Sequence, residues 1–144
     1  MTPPALDADV VGARLRLLAD TLADLEPLRG TSASELASDP IVRAATERFI
    51  QVIVDLAVDI NSHILVSVAG RTPPTARGTF LELGSAGVLD PELVARLAPS
   101  AGMRNLLVHR YADIDVGIVA HAIDEILDGY ARYVSGIGTW LTER

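Results

Sequence analysis

One short segment of the sequence concentrates the side chains that could do chemistry. Residues 102–111 hold Arg104, Asn105, His109 and Tyr111 in a largely apolar run. An imidazole can accept and return protons near neutral pH, and a guanidinium can stabilise negative charge on a phosphate. Polar residues elsewhere recur as they do on the solvated faces of helices, so this segment is the predicted functional site.

The spacing of these residues limits how a single helix can present them. At about 100° per residue, Asn105 and His109 lie one turn apart on nearly the same face. Arg104 and Tyr111 lie two turns apart, whereas Arg104 and His109 are separated by about 140° around the axis. Three arrangements are open: the helix ends near His109, the arginine side chain wraps around it, or a second chain completes the site.

Composition and periodicity predict an all-α fold, a bundle of four main helices plus short ones in a single domain over residues 1–144. Hydrophobic residues make up 49 % of the chain and aromatic residues only 4 %, which suits packed helices better than a β-sandwich. The first helix is predicted from Asp7 or Asp9 to about Arg29, because its apolar residues recur at spacings of three and four.

The second predicted helix is the longest. Asp39 is a good N-cap, Pro40 suits the first turn, and nothing breaks the pattern before Gly70. Most of its positions are apolar, which predicts a helix that is central to the bundle or shared with a second subunit. One line of polar residues recurs every four positions along it: Glu47, Gln51, Asp55, Asp59, His63 and Ser67.

Shorter helices and a long final helix are predicted for the rest of the chain. Pro73 and Pro74 end the helical pattern, because consecutive prolines cannot continue a helix. The features predicted after them are a short helix over residues 79–84, a capped helix start at Asp90, a kink or restart at Pro99 and Gly102, and a last helix from about Asp115 with a weak spot at Gly136 and Gly138.

The order Arg104, four residues, His109, one residue, Tyr111 resembles the motif of the HEPN superfamily. The similarity is greatest to its HepT-like branch, ribonuclease toxins that are paired with a minimal nucleotidyltransferase antitoxin. The surrounding string GMRNLLVHRY is typical of that branch, and so are residues 59–64 and 80–84. The resemblance covers about residues 39–130 and implies a HEPN-type helical bundle.

The resemblance also implies an activity, which suits the residue types. It implies a homodimer that cleaves RNA without a metal or other cofactor, with Arg104 and His109 of both subunits near the dimer axis. RNA carries its own nucleophile in the 2′-hydroxyl, so the protein needs a proton acceptor and a cation beside the phosphate. Asn105 would orient His109 or the phosphate, the product would end in a 2′,3′-cyclic phosphate, and transfer RNA is a candidate target.

Tyr111 has a different implied role. In the HepT-like branch the motif tyrosine accepts AMP from the partner nucleotidyltransferase, which switches the toxin off. A bulky anionic group beside His109 would block the cleft and repel RNA phosphates. Arg110 departs from relatives that often carry an acidic residue there, so it is a possible substrate-cleft residue and puts recognition by the antitoxin in doubt.

Asp59 and His63 on the second helix are further possible residues of the substrate cleft. They are four apart and could pair across one turn. The favoured interpretation is a buried polar network near the dimer interface. An Asp-x3-His pair without further ligands is a poor metal site, so no metal site is predicted.

Each site residue also has a structural interpretation. Arg104 could be a surface arginine near a helix end, His109 a histidine that favours a helix C-terminus, and Tyr111 a packing residue. The alternative functions are therefore a non-catalytic HEPN module that binds nucleotide or RNA and partners a nucleotidyltransferase, and a purely structural helical dimer.

Charge and composition exclude several classes of protein. The net charge of −7 argues against a broad basic surface for nucleic acid, although a small basic cleft would be compatible with it. The absence of cysteine excludes disulfides and thiolate metal sites. Residues 1–7 lack the pattern of a signal peptide, and polar residues interrupt the apolar stretch 52–68, so a cytoplasmic protein without a membrane span is predicted.

Overall fold

The computed structural model describes residues 5–109 and 115–144, and every regular element in these ranges is helical. The all-α prediction is therefore confirmed. The helices are α1 Ala8–Leu25, α2 Ala33–Ser38, α3 Pro40–Ala69, α4 Ala76–Ser85, α5 Pro91–Leu97, α6 Ser100–His109 and α7 Val116–Glu143. A 3₁₀ turn, Glu26–Leu28, follows α1, so the first helix ends earlier than predicted because Pro27 cannot continue its hydrogen bonds.

Side-chain caps set the start of the helices that the sequence predicted. The Asp7 carboxylate accepts a hydrogen bond from the amide of Val10 and begins α1. The Asp39 carboxylate accepts from two amides of the first turn of α3, at 3.1 Å each. At the other end of α3, Gly70 has φ of 77°, a left-handed conformation that favours glycine. The predicted bounds of the long helix are thus confirmed.

Helix α3 is the centre of the bundle. It packs against α1, α2, α4, α6 and α7, and a line of its apolar residues, including Ile50, Ile53, Val54, Ala57 and Ile60, is fully buried. By length and composition α3 is the one helix in the described ranges that could cross a membrane. Its packing on all these neighbours is that of a core helix, as the prediction of a central helix requires.

A small polar and aromatic cluster ties α3 to α4 and α7. The rings of Phe80, Tyr130 and Tyr133 meet edge to face with centroids 5.5–6.5 Å apart. The Tyr133 hydroxyl donates to the Asn61 side-chain oxygen at 2.6 Å, and the Asn61 amide donates to Thr79 at 3.2 Å. Both tyrosines are fully buried packing residues.

Helix α7 contradicts one prediction, because it runs unbroken through Gly136 and Gly138. Tyr133 and Ile137 are fully buried on this stretch, so packing holds the helix where its local propensity is low. A Cβ atom at Gly136 would lie 2.6 Å from a methyl group of Leu89, so this glycine lets the α4–α5 connection approach the helix. The predicted weak spot is a point of close packing.

Candidate active site

Helix α6 carries the residues that the sequence singled out. It begins at Ser100, directly after Pro99, and includes Gly102 in its first turn, so the predicted restart occurs at the proline. Ala101 and Leu107 are buried against the bundle, which turns the opposite face of α6 to solvent. His109 is the last described residue of α6 and is exposed. The three predicted arrangements of the site stay predictions.

Arg104 reaches back from α6 to the central helix. Its Nε donates a hydrogen bond to Oδ1 of Asp55 on α3 at 2.5 Å, and its Nη1 donates to the Asn105 side-chain oxygen at 3.4 Å. The Arg104 and Asp55 side chains are 33 % and 41 % exposed. This charge-assisted pair holds the guanidinium at the junction of two helices, at the edge of solvent.

A cleft opens beside this pair. It measures about 410 Å³ and is lined by α3, by Ala76 at the start of α4 and by Arg104. A second cavity of about 360 Å³ continues along α3 toward His63 and Thr72. Asp59 and Ser62 line both cavities, so the depression follows α3 from Arg104 to His63.

Asp59 and His63 lie in this depression, but they are not buried. Their side chains are 46 % and 40 % exposed, and His63 Nε2 is 3.8 Å from the Asp59 carboxylate. Arg14 of α1 forms an ion pair with the same carboxylate. Within one chain α1 pairs with α3 here but does not cover it, and the predicted polar network at a dimer interface stays a prediction.

The predicted site residues are placed unequally. Asn105 and His109 are exposed and lie one turn apart on α6, whereas Arg104 is half-buried and lies about 140° around the helix from His109. Arg110 and Tyr111 lie outside the described residues. The Asn105 oxygen contacts Arg104. No group of three or more His, Asp or Glu side chains that could hold a metal occurs within residues 5–109 and 115–144.

Sequence reasoning did not select Asp55 as a site residue, although it stands closest to the arginine. Asp55 belongs to the line of polar residues that recur every four positions on the long helix, and this line is the one sequence pattern that includes it. The contact joins α3 to α6, 49 positions apart in sequence. Spacing within one helix therefore could not single out Asp55 from its neighbours on the line.

Comparison with known proteins places this fold and motif in one family. The family model "Ribonuclease HepT-like" matches residues 18–137. The chain belongs to the HepT-like ribonuclease family. The predicted family is therefore confirmed, and its match includes α6 and most of the cleft-forming helices.

Relatives of this HepT-like chain are RNA-cleaving enzymes by name. The tRNA nuclease HepT of Aphanizomenon flos-aquae is 38 % identical over 132 residues, which cover 92 % of this chain and 90 % of that protein. The mRNA nuclease HepT of Shewanella oneidensis is 25 % identical over 83 residues, 58 % of this chain and 62 % of that protein.

Solved structures share the HepT-like fold at low sequence identity. A toxin–antitoxin complex with AMP-PNP contains a chain that matches with a TM-score of 0.81 and 19 % identity, over 91 % of this chain and 98 % of that chain. A tri-AMPylated HEPN toxin of Shewanella oneidensis in complex with MNT antitoxin matches with a TM-score of 0.81 and 20 % identity over the same shares. The predicted HEPN-type bundle is confirmed.

Proposed function

We propose that this chain is the toxin of a toxin–antitoxin pair and cleaves RNA through Arg104 and His109. The observation that carries the proposal is the placement of both on α6. Arg104 lines the cleft and is hydrogen-bonded to Asp55 through Nε, and His109 is exposed as the last described residue of α6. The family match and the nuclease relatives support the same activity.

The chemistry is an intramolecular transfer within the RNA. The imidazole of His109 takes the proton of a 2′-hydroxyl, and that oxygen attacks the adjacent phosphorus. The bond to the 5′-oxygen breaks, the leaving oxygen takes up a proton from water, and His109 returns its proton to water. Arg104 stabilises the negative charge that builds up on the phosphoryl oxygens, and the product ends in a 2′,3′-cyclic phosphate.

We propose transfer RNA as the substrate. A relative from Aphanizomenon flos-aquae, whose match covers 92 % of this chain, is named a tRNA nuclease. The cleft beside Arg104 follows α3 for several turns and contains the Arg14–Asp59 pair and His63. We propose that the RNA backbone on one side of the cleaved bond runs along this cleft.

RNA cleavage by purified protein tests the activity. Wild-type protein in the presence of a chelator should cut transfer RNA and leave a cyclic phosphate end. Arg104→Ala and His109→Ala should each lose cleavage by on the order of 10²-fold or more, because each removes a group that acts on the transition state. His121→Ala, which removes an exposed histidine of α7, is the matched control and should cleave as wild type does.

Two results would decide against the enzyme. If the wild type leaves RNA intact but still binds it, the chain is a non-catalytic RNA-binding module. If all four preparations cut alike, the activity belongs to a contaminant and not to Arg104 and His109.

The proposed control of the toxin is AMP transfer to Tyr111 by a minimal nucleotidyltransferase. The structural neighbour from Shewanella oneidensis is a tri-AMPylated HEPN toxin in complex with MNT antitoxin, which supports this partner. Co-expression with such a nucleotidyltransferase should add AMP to the wild type, as intact mass spectrometry would detect. Tyr111→Phe should take up none and stay active; AMP uptake by Tyr111→Phe would place the acceptor elsewhere.

A further inference from the structure

We propose that Asp55 is the positioning residue of the active site, which holds Arg104 so that its outer edge faces the RNA phosphate. The inference rests on the proposed function and assigns to the central helix a part that the motif on α6 does not contain. The Asp55 carboxylate does not need to touch the substrate. It acts through the guanidinium that it orients.

The geometry of the Arg104 guanidinium is the first observation that supports a positioning role for Asp55. An arginine side chain offers five N–H donors in a rigid planar fork. In Arg104 the Nε–H points to Asp55 at 2.5 Å, and one Nη1–H points to Asn105 at 3.4 Å. Within the described residues the remaining donors make no hydrogen bond to the protein. The edge formed by Nη1 and Nη2 therefore has donors available for two oxygens of a phosphate.

The location of Asp55 on the central helix is the second observation that supports its positioning role. Asp55 sits on α3, whose neighbouring residues Ile53 and Val54 are fully buried, so its backbone belongs to the most rigid part of the bundle. Arg104 sits on α6, where only Ala101 and Leu107 are buried. A long arginine side chain on a lightly anchored helix has many rotamers. A carboxylate on the core helix selects one of them.

The small energy of the Asp55–Arg104 ion pair is the third argument for a positioning role. Ion pairs as exposed as this one contribute little to the stability of a fold. The pair nevertheless places a negative charge in the cleft, where it repels the phosphates that the enzyme must bind. A contact that adds little stability and opposes substrate binding is explained by its effect on the geometry of Arg104.

Cleavage kinetics provide the test. Asp55→Ala should lower kcat by on the order of 10–100-fold, because a misplaced transition-state donor loses most of its effect. The Kd for a 2′-O-methyl RNA, which binds but lacks the nucleophile, should stay within about threefold or fall, since a repulsive charge is gone. Asp55→Asn keeps an oxygen that accepts from Nε and should recover kcat to within about fivefold of the wild type.

Glu47→Ala is the matched control. Glu47 pairs with Arg43 at 3.1 Å on the same helix, outside the cleft. Its removal should leave kcat and Kd unchanged, and both alanine variants should melt within about 4 °C of the wild type, as for the loss of any half-exposed ion pair. Equal losses of kcat in Glu47→Ala and Asp55→Ala would assign the effect to general destabilisation and overturn the proposal.

A measurement without RNA separates this proposal from the proposed function. The Nε–H of Arg104, assigned by its disappearance in Arg104→Lys, should exchange with water more slowly in the wild type than in Asp55→Ala. Equal exchange in the two proteins overturns the positioning contact whether or not RNA is cut. Slow exchange in a wild type that fails to cleave RNA supports the contact and rejects the nuclease. Faster cleavage by Asp55→Ala would make Asp55 a blocking residue and also overturn the proposal.

Discussion

The hydroxyl of Tyr133 is hydrogen-bonded in the interior of the bundle to the Asn61 side chain and the Ala57 carbonyl of the central helix. Burial raises the pKa of Tyr133, and burial also raises the pKa of Tyr130, so both remain neutral donors in the folded protein well above neutral pH. Within the described residues every buried side-chain nitrogen and oxygen has a hydrogen-bond partner. Asn61 depends on Tyr133 for this, because its oxygen accepts from the tyrosine hydroxyl.

Removal of this hydroxyl should destabilise the fold more than removal of its neighbour's. Tyr133→Phe leaves the buried Asn61 oxygen without a donor, and we expect a loss of about 1–3 kcal/mol in the free energy of unfolding, measured with urea. Tyr130→Phe should lose less, because its partner Ser100 still donates to the Leu97 carbonyl at 2.6 Å. Equal losses in the two variants would show that Asn61 finds another donor.

The sequence predicted single residues best where one helix carried the information. Arg104, Asn105 and His109 were chosen from spacing and chemical type; Asn105 and His109 are exposed on α6, and Arg104 is half-buried against α3. Asp55 was noted only as a member of the polar line on α3, because its contact with Arg104 depends on how two helices cross. Their roles in catalysis stay predictions.

At the scale of elements, α7 allows the effect of tertiary packing to be compared with the effect of local helix propensity. Gly136 and Gly138 are both inside the helix, but a Cβ at Gly136 would meet Leu89 at 2.6 Å, while one at Gly138 would meet nothing within 4 Å. Glycine in a helix interior costs about 0.5–1 kcal/mol relative to alanine. The two positions share a helix and differ in their surroundings.

Alanine should therefore act oppositely at the two glycines. Gly138→Ala should raise the free energy of unfolding by about 0.5–1 kcal/mol, because the helix gains and nothing is displaced. Gly136→Ala should be less stable than Gly138→Ala by about 1–3 kcal/mol, because buried Leu89 must move. Urea denaturation of both variants measures the difference; equal stabilisation would mean that the Leu89 side chain relocates without cost.

Helix ends were predictable where a side chain caps them, and continuity was not. Asp39 and Gly70 bound α3 through local hydrogen bonds and a left-handed residue, which sequence alone encodes. The persistence of α7 through two glycines depends on buried Tyr133 and Ile137 and on Leu89 from a distant part of the chain. Tertiary packing outweighs local propensity there, so the local pattern gave the wrong prediction.

At the scale of the whole molecule, we propose that two copies of this chain assemble. Leu106 on α6 is 38 % exposed, which leaves an apolar side chain at the surface next to Asn105. The separation of Arg104 from His109 around α6 also favours a site completed by a second copy.

Mixed dimers test this assembly. Arg104→Ala and His109→Ala, unfolded and refolded together, should regain cleavage well above either variant alone, because a shared site then holds one intact arginine and one intact histidine. Light scattering should give twice the chain mass of 15.3 kDa. Wild-type activity at the monomer mass, or dimers without recovery, would show that each protomer works alone.

Family and fold were accessible from the sequence at this scale because the motif and the helical periodicity are both local. A homodimer was predicted only through the family resemblance, since the number of subunits depends on surfaces that no pattern within one chain defines. The net charge of −7 argued against a broad basic surface, and the cleft that carries Arg104 contains two aspartates. RNA binding by this acidic protein is therefore expected to depend on the few residues that line this cleft.

The unequal burial of the two helices that build the site sets how amide hydrogens exchange with deuterium. In the middle of α3, Ile50, Ile53, Val54, Ala57 and Ile60 are fully buried, whereas α6 buries only Ala101 and Leu107. Amides of α3 should exchange through global unfolding, and those of α6 through local opening that costs much less. Asp55 then stays in place while local opening of α6 moves Arg104 away from it and back. The Asp55–Arg104 contact therefore breaks and re-forms many times for each global unfolding of the bundle.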